Sequence, residues 1–143
     1  MDQNVKPVEH SFTIVGNVTS PDGNPMPYKR LTQKSKYMAR GVGYAEWKAY
    51  VVDCFLKSIP DRKDRNAYEQ TLIRRNKPIE LGKMQDAVLT IHIRFKTENH
   101  GDPSNIVKGI EDALFADDKH CDVHTSHECR SPHGEVEVHI KII

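Results

Sequence analysis

Apolar and polar positions alternate over residues 10–19, 88–95 and 134–143, and this period of two predicts three β-strands. The pattern is cleanest in the last of them. There Val136, Val138, Ile140 and Ile142 point one way, and Glu135, Glu137, His139 and Lys141 the other. In 88–95, Leu89, Ile91, Ile93 and Phe95 oppose Thr90, His92 and Arg94. In 10–19, Phe12 and Ile14 share a side with Gly16 and Val18, and Ser20-Pro21-Asp22-Gly23 ends the run. A fourth strand is expected over 121–129, joined to the last by a turn at Ser131-Pro132-His133-Gly134 in a hairpin.

Two stretches carry the helical period instead. Over 44–58, Tyr44, Trp47, Val51, Cys54 and Phe55 form one stripe, and Pro60 prevents continuation. Over 102–114, Asp102 stands where an N-cap belongs and Pro103 at the first helical position, where its missing N–H costs nothing. Ile106, Val107, Ile110, Ala113 and Leu114 then fall in one arc, which marks the buried side. Asn105, Lys108 and Asp112 lie opposite, with Lys108 and Asp112 as i,i+4 neighbours. The segment 61–83 is rich in charge and poor in apolar residues; within it, 64–75 could form a short helix on Tyr68, Leu72 and Ile73. The expected fold is therefore α+β, in the order β-α-β-α-β-β, with a mixed sheet of about four strands and helices packed on one face. One domain over 1–143 is expected, with 1–10 flexible.

Composition narrows the class. With 37% hydrophobic and 29% charged residues, the chain suits a polar-surfaced globule and not a disordered segment. No apolar run reaches the roughly 18 residues of a membrane span, and residues 1–10 lack a signal-peptide core, so no membrane partner is expected. Three cysteines, Cys54, Cys121 and Cys129, are an odd number and fit reduced thiols in a cytoplasm. A net charge of +1 gives no global sign of nucleic-acid binding, but the distribution does. Between Tyr28 and Ala45 the charged residues are all basic: Lys29, Arg30, Lys34, Lys36 and Arg40, interleaved with Tyr37 and Tyr44. Such a stretch can neutralise phosphates and stack on unpaired bases, or it can be an ordinary solvated loop.

The 102–118 region carries the sharpest chemistry. A polar helix face with a lysine at its centre, a carboxylate at its start and Asp117-Asp118 after its end is what metal-assisted phosphoryl transfer uses. Each residue also has a plain role: Asp102 as a cap, Asp112 as the partner of Lys108, Asp117 and Asp118 as solvated ends. Two carboxylates just past a helix C-terminus oppose its dipole, which favours a cation beside them.

The ordered pattern Asp102-x-x-Asn105-x-x-Lys108-x-x-x-Asp112-Ala113-Leu114, then Asp117-Asp118, resembles the central signature of RusA-type Holliday junction resolvases. Gly23-Asn24-Pro25-Met26-Pro27-Tyr28-Lys29-Arg30 is similar to the family's Pro-rich basic segment, and Tyr44-Ala45-Glu46-Trp47 falls in the helix that follows. The resemblance spans about residues 11–143. It implies a small homodimeric endonuclease, often phage- or prophage-encoded, that cuts four-way DNA junctions with magnesium, manganese being able to substitute. On that basis Asp102, Lys108 and Asp118 are the expected catalytic residues. Asp102, Asp117, Asp118 and Ser104 would surround the metal, and Lys29, Arg30, Lys34, Lys36, Arg40 and Asn105 would contact DNA. Relative to compact members, 61–84 looks like a charged insertion.

One position departs from the family's Asp-x-Asp-Asn pattern: Ser104 stands where the second aspartate is expected. Serine can coordinate magnesium or hold a water but brings no charge. Asp117 could take over as ligand, or the chain could be a catalytically impaired, junction-binding paralogue or carry an engineered change. A further alternative is a small zinc-binding module using His120, Cys121, His124, His127, Cys129 and His133. On a straight strand, however, Cys121 and Cys129 would stand about 26 Å apart, and His124 would face the other way.

Overall fold

A computed structural model describes residues 8–17, 23–26, 39–66, 87–98, 100–115 and 121–142. Along the chain run β1 (Val8–Val15), α1 (Ala39–Lys57), β2 (Ala87–Arg94), α2 (Pro103–Leu114), β3 (Cys121–Glu128) and β4 (Glu135–Ile142). The four strands form one mixed sheet in the order β1-β4-β2-β3, and the fold class is α+β as expected. Strand β4 is antiparallel to both neighbours, with Val8↔Ile142 and Ala87↔Ile142 in register, whereas β3 runs parallel to β2.

The inward face of the sheet is the apolar half of each alternation. Phe12 and Ile14, Leu89, Ile91 and Ile93, and Val136, Val138 and Ile140 are all buried. Against them pack Tyr44, Trp47, Val51 and Phe55 of α1, and Ile106, Val107, Ile110, Ala113 and Leu114 of α2. Removing each such side chain from water contributes about 1.5–3 kcal/mol, so this one-sided layer holds the domain together. The two helices touch each other; α1 also rests on β1, and α2 on β3. The far side of the sheet stays polar, with Ser11, Thr13, Thr90, His92, Glu137 and His139 around a shallow concavity of about 360 Å³. There Arg94 lies 2.8 Å from Glu137, 2.9 Å from Glu128 and 3.0 Å from Glu135. The guanidinium's hydrogen bond holds the Glu137 carboxyl below the usual carboxylate range. No helix among the described residues is long and apolar enough to cross a membrane.

Several expected boundaries shift. Val8, Glu9 and His10 are not loose but pair with Ile142, Lys141 and Ile140. Strand β1 ends at Val15 because Gly16 takes a left-handed φ of 61°; Val18 lies outside the described residues. Helix α1 begins five residues before the expected start and takes in Arg40, the last residue of the basic stretch. Past Pro60, residues 62–66 are helical, started by Asp61, whose Oδ1 accepts the Lys63 and Asp64 N–H groups at 2.8 and 3.2 Å. The rest of the charged segment, 67–86, lies outside the described residues.

The expected hairpin between the last two strands does not form. Strand β4 inserts between β1 and β2, and β3 goes to the edge beyond β2. The cause is composition: β4 offers four apolar residues to the core, whereas β3 offers Cys121, Val123, Thr125 and His127 and is exposed over most of its length. A polar strand is tolerated only at an edge. The connection therefore crosses the end of β2, where the Phe95 N–H donates to the Glu128 carbonyl at 2.8 Å and the Ser131 N–H to the Phe95 carbonyl at 3.1 Å.

Gly134 is needed for close approach and not for a hairpin turn. A Cβ there would lie 2.1 Å from the Gly23 carbonyl oxygen, and the Gly134 carbonyl accepts the Gly16 N–H at 2.7 Å. Gly134→Ala should destabilise the fold by about 1–3 kcal/mol, because backbone must move to admit the methyl. Urea unfolding checks this, and an unchanged midpoint would show that residues 23–24 are held less closely than described.

Candidate functional site

Strands β2 and β3 are parallel, so their carboxyl ends, Arg94 and Glu128, lie side by side. The chain leaving β2 there turns directly into the N-terminus of α2.

Asp102 caps α2 with extended backbone, φ −62° and ψ 131°. Its Oδ1 accepts the Ser104 N–H at 2.9 Å and the Ser104 hydroxyl at 2.7 Å, while its carbonyl accepts the Asn105 and Ile106 N–H groups. The Ser104 hydroxyl, then the Ser104 N–H, hold the Asp102 carboxyl below its usual range. A carboxylate depressed in the folded state stabilises above its unfolded pKa. That contribution is lost as pH falls through the lowered value. Ser104, expected as a metal neighbour, is thus engaged with Asp102 itself.

Asn105 and Lys108 are exposed on α2, as their spacing predicted. Asp112, expected as the helical partner of Lys108, is instead held across the helix interface. The Tyr44 hydroxyl donates to its Oδ2 at 2.9 Å, and Lys48 Nζ stands 3.4 Å from the same oxygen and 5.1 Å above the Tyr44 ring centre. Its place in the sequence pattern is therefore explained by helix packing: it pins α2 to α1 and so fixes where Asp102 sits.

Asp117, Asp118, Lys29, Arg30, Lys34 and Lys36 lie outside the described residues, and for Arg40 only the helical backbone is described. Phe115 and Cys121, which flank the aspartate pair, stand at the other end of α2 from Asp102. Twelve helical residues make that separation about 18 Å.

Part of the Pro-rich segment is brought to the Asp102 end. Asn24 accepts the Lys96 N–H on its Oδ1 at 2.7 Å and donates from Nδ2 to Thr97 Oγ1 at 3.0 Å; its carbonyl accepts from Asn17 Nδ2 at 2.6 Å. Residues 23–26 are thereby fastened to the chain just after β2. Asn24 is the residue that joins two sequence-distant motifs, and nothing in its local pattern marked it.

His100 was also missed. Its ring lies flat on buried Phe95, with centroids 3.6 Å apart and planes 7° from parallel. Its Nδ1 is 2.7 Å from the Gly101 carbonyl and its Nε2 3.4 Å from Cys129 Sγ. A contact between residues this far apart in sequence leaves no local signal. The histidine and cysteine set considered for zinc is divided by the sheet: Cys121 packs against the core side, while His124 is on the open face beside Asp122. His120 lies outside the described residues, and among those described no three histidine, cysteine or acidic side chains are placed to hold one metal ion.

Comparison with known proteins finds no family model and no curated protein that matches the chain.

Proposed function

We propose that the protein is a magnesium-dependent endonuclease that binds four-way DNA junctions as a homodimer and cuts them by paired phosphodiester hydrolysis. The observation that carries this reading is the exposed Asp102 carboxylate at the start of α2, with Asn105 and Lys108 on the exposed side of the same helix. Residues 23–26 are fastened at the same end of the sheet. In this reading Asp102 is a metal ligand, with the Ser104 hydroxyl as a further oxygen donor of the hard type magnesium takes; manganese can replace it. Asp117 and Asp118, which follow the far end of α2, are left out of this ligand set. Bound there, the metal supplies charge neutralisation for the phosphate. Lys108 adds positive charge near the scissile phosphate, and Asn105 positions DNA. The basic residues Lys29, Arg30, Lys34, Lys36 and Arg40 contact backbone phosphates, and a two-fold dimer offers two sites to symmetry-related strands.

A second reading, a junction-binding protein with impaired cutting, is favoured by one contact. The Ser104 hydroxyl fills an acceptor site on Asp102 where a second carboxylate would face a cation.

A labelled synthetic four-way junction separates the two. With magnesium or manganese the enzyme reading expects paired nicks, preference over plain duplex, and loss of cutting on chelation. Binding at saturation without nicks supports the second reading. Ser104→Asp is expected to raise the cutting rate and lower the magnesium concentration at half-maximal rate, since it replaces a hydroxyl donor with a charged ligand. If neither cutting nor metal affinity changes, residue 104 lies outside the coordination shell.

A further inference from the structure

We propose that Cys129 is a covalent modification site, a thiol that exchanges with small disulfides, with His100 as the base that takes its proton. Cys129 is exposed at the first position after β3. Its Sγ is 3.4 Å from His100 Nε2. The carbonyl of Gly101 can only accept, so the His100 Nδ1 beside it at 2.7 Å carries the ring hydrogen. Nε2, the other ring nitrogen, is the one that faces the thiol sulfur at 3.4 Å. This is the arrangement of a nucleophile with its base, the base being held in turn by a third group.

The pair is held by one buried residue. The Phe95 ring is wholly buried and carries the His100 imidazole flat on its face. The Phe95 backbone is bonded on both sides of Cys129, to the Glu128 carbonyl and the Ser131 N–H. Next to the thiol, Arg130 takes a left-handed φ of 64°, and its guanidinium is anchored on Glu98 at 2.8 Å. Left-handed backbone at a residue other than glycine requires support from its surroundings, and here it accompanies a turn that leaves the thiol exposed.

In the exchange, Cys129 Sγ attacks one sulfur of the small disulfide. The old S–S bond breaks as the new one forms. The thiol proton passes to His100 Nε2 and from there to the departing thiolate, which leaves as a thiol. One disulfide is consumed and one is made, so the small disulfide is the only oxidant required.

The other two cysteines serve as internal references. Cys54 is half-buried in α1, and burial pushes its thiol up. Cys121 is half-buried against the core.

The test treats the whole chain with oxidised glutathione and follows each cysteine by peptide mass mapping. Cys129 is expected to react about tenfold or more faster than Cys54 or Cys121, and His100→Gln to slow it about tenfold with unchanged circular dichroism. In denaturing urea the three rates should converge, which tests the role of the folded geometry without any variant. Equal rates for the three thiols in the folded chain would overturn the proposal, as would an unchanged Cys129 rate in His100→Gln. A Cys129 preference that persists in urea would also overturn it, since local sequence would then suffice.

Discussion

In the proposed endonuclease, Asp102→Asn is expected to reduce junction cutting by on the order of a hundredfold or more while leaving the melting temperature almost unchanged. Asparagine caps a helix about as well as aspartate, so the bonds that start α2 survive. What would be lost is the negative charge offered to the proposed metal, and loss of a direct ligand exceeds the 10–100-fold typical of outer-shell changes. Asp102→Ala removes both, and should add a stability loss of about 1 kcal/mol to the same loss of cutting. The pair of variants separates capping from chemistry. If Asp102→Asn cuts at the wild-type rate, this carboxylate is a cap and nothing more, and the metal reading of α2 fails.

Phe95→Ala should be among the most damaging substitutions to the fold, at about 3–5 kcal/mol, because a wholly buried aromatic leaves a cavity under the end of the sheet. For a domain of this size the melting temperature would fall by on the order of 10 °C. The damage should also be local in a way a generic core deletion is not. His100 loses the surface it stacks on, so the Cys129 rate advantage should shrink in any Phe95→Ala protein that remains folded. A stability loss under about 1 kcal/mol would mean that the loops around Phe95 close over the gap.

Helix α2 was legible in detail because its signals are local. The Asp102-Pro103 start and the five apolar residues of its arc are all where the spacing put them. The strands were legible as strands for the same reason, but their order was not. Ser131-Pro132-His133-Gly134 carries the composition of a turn, yet a turn signal does not say which strands it joins. That choice was made by the apolar content of β4 against that of β3. The partner of Asp112 was misread because Lys108 is near in sequence, whereas Tyr44 and Lys48 are near only after the helices pack. The candidate site was legible at Asp102, Asn105 and Lys108. It was illegible at Asn24, His100 and Cys129, whose roles rest on contacts between distant segments.

The central place of β4 also governs when the sheet can exist. During synthesis β1 and β2 emerge long before Glu135–Ile142, and neither pairs with the other, since β4 lies between them. Until that stretch has cleared the ribosome, only the β2-α2-β3 unit has both of its strands available. Strand β1 and one edge of β2 must wait with unpaired backbone, the condition in which chains join one another. Such long-range closure makes folding slow, and the exposed interval lengthens with it. Assembly of this domain therefore depends on holding two early strands apart, unaggregated, until a late one slides between them.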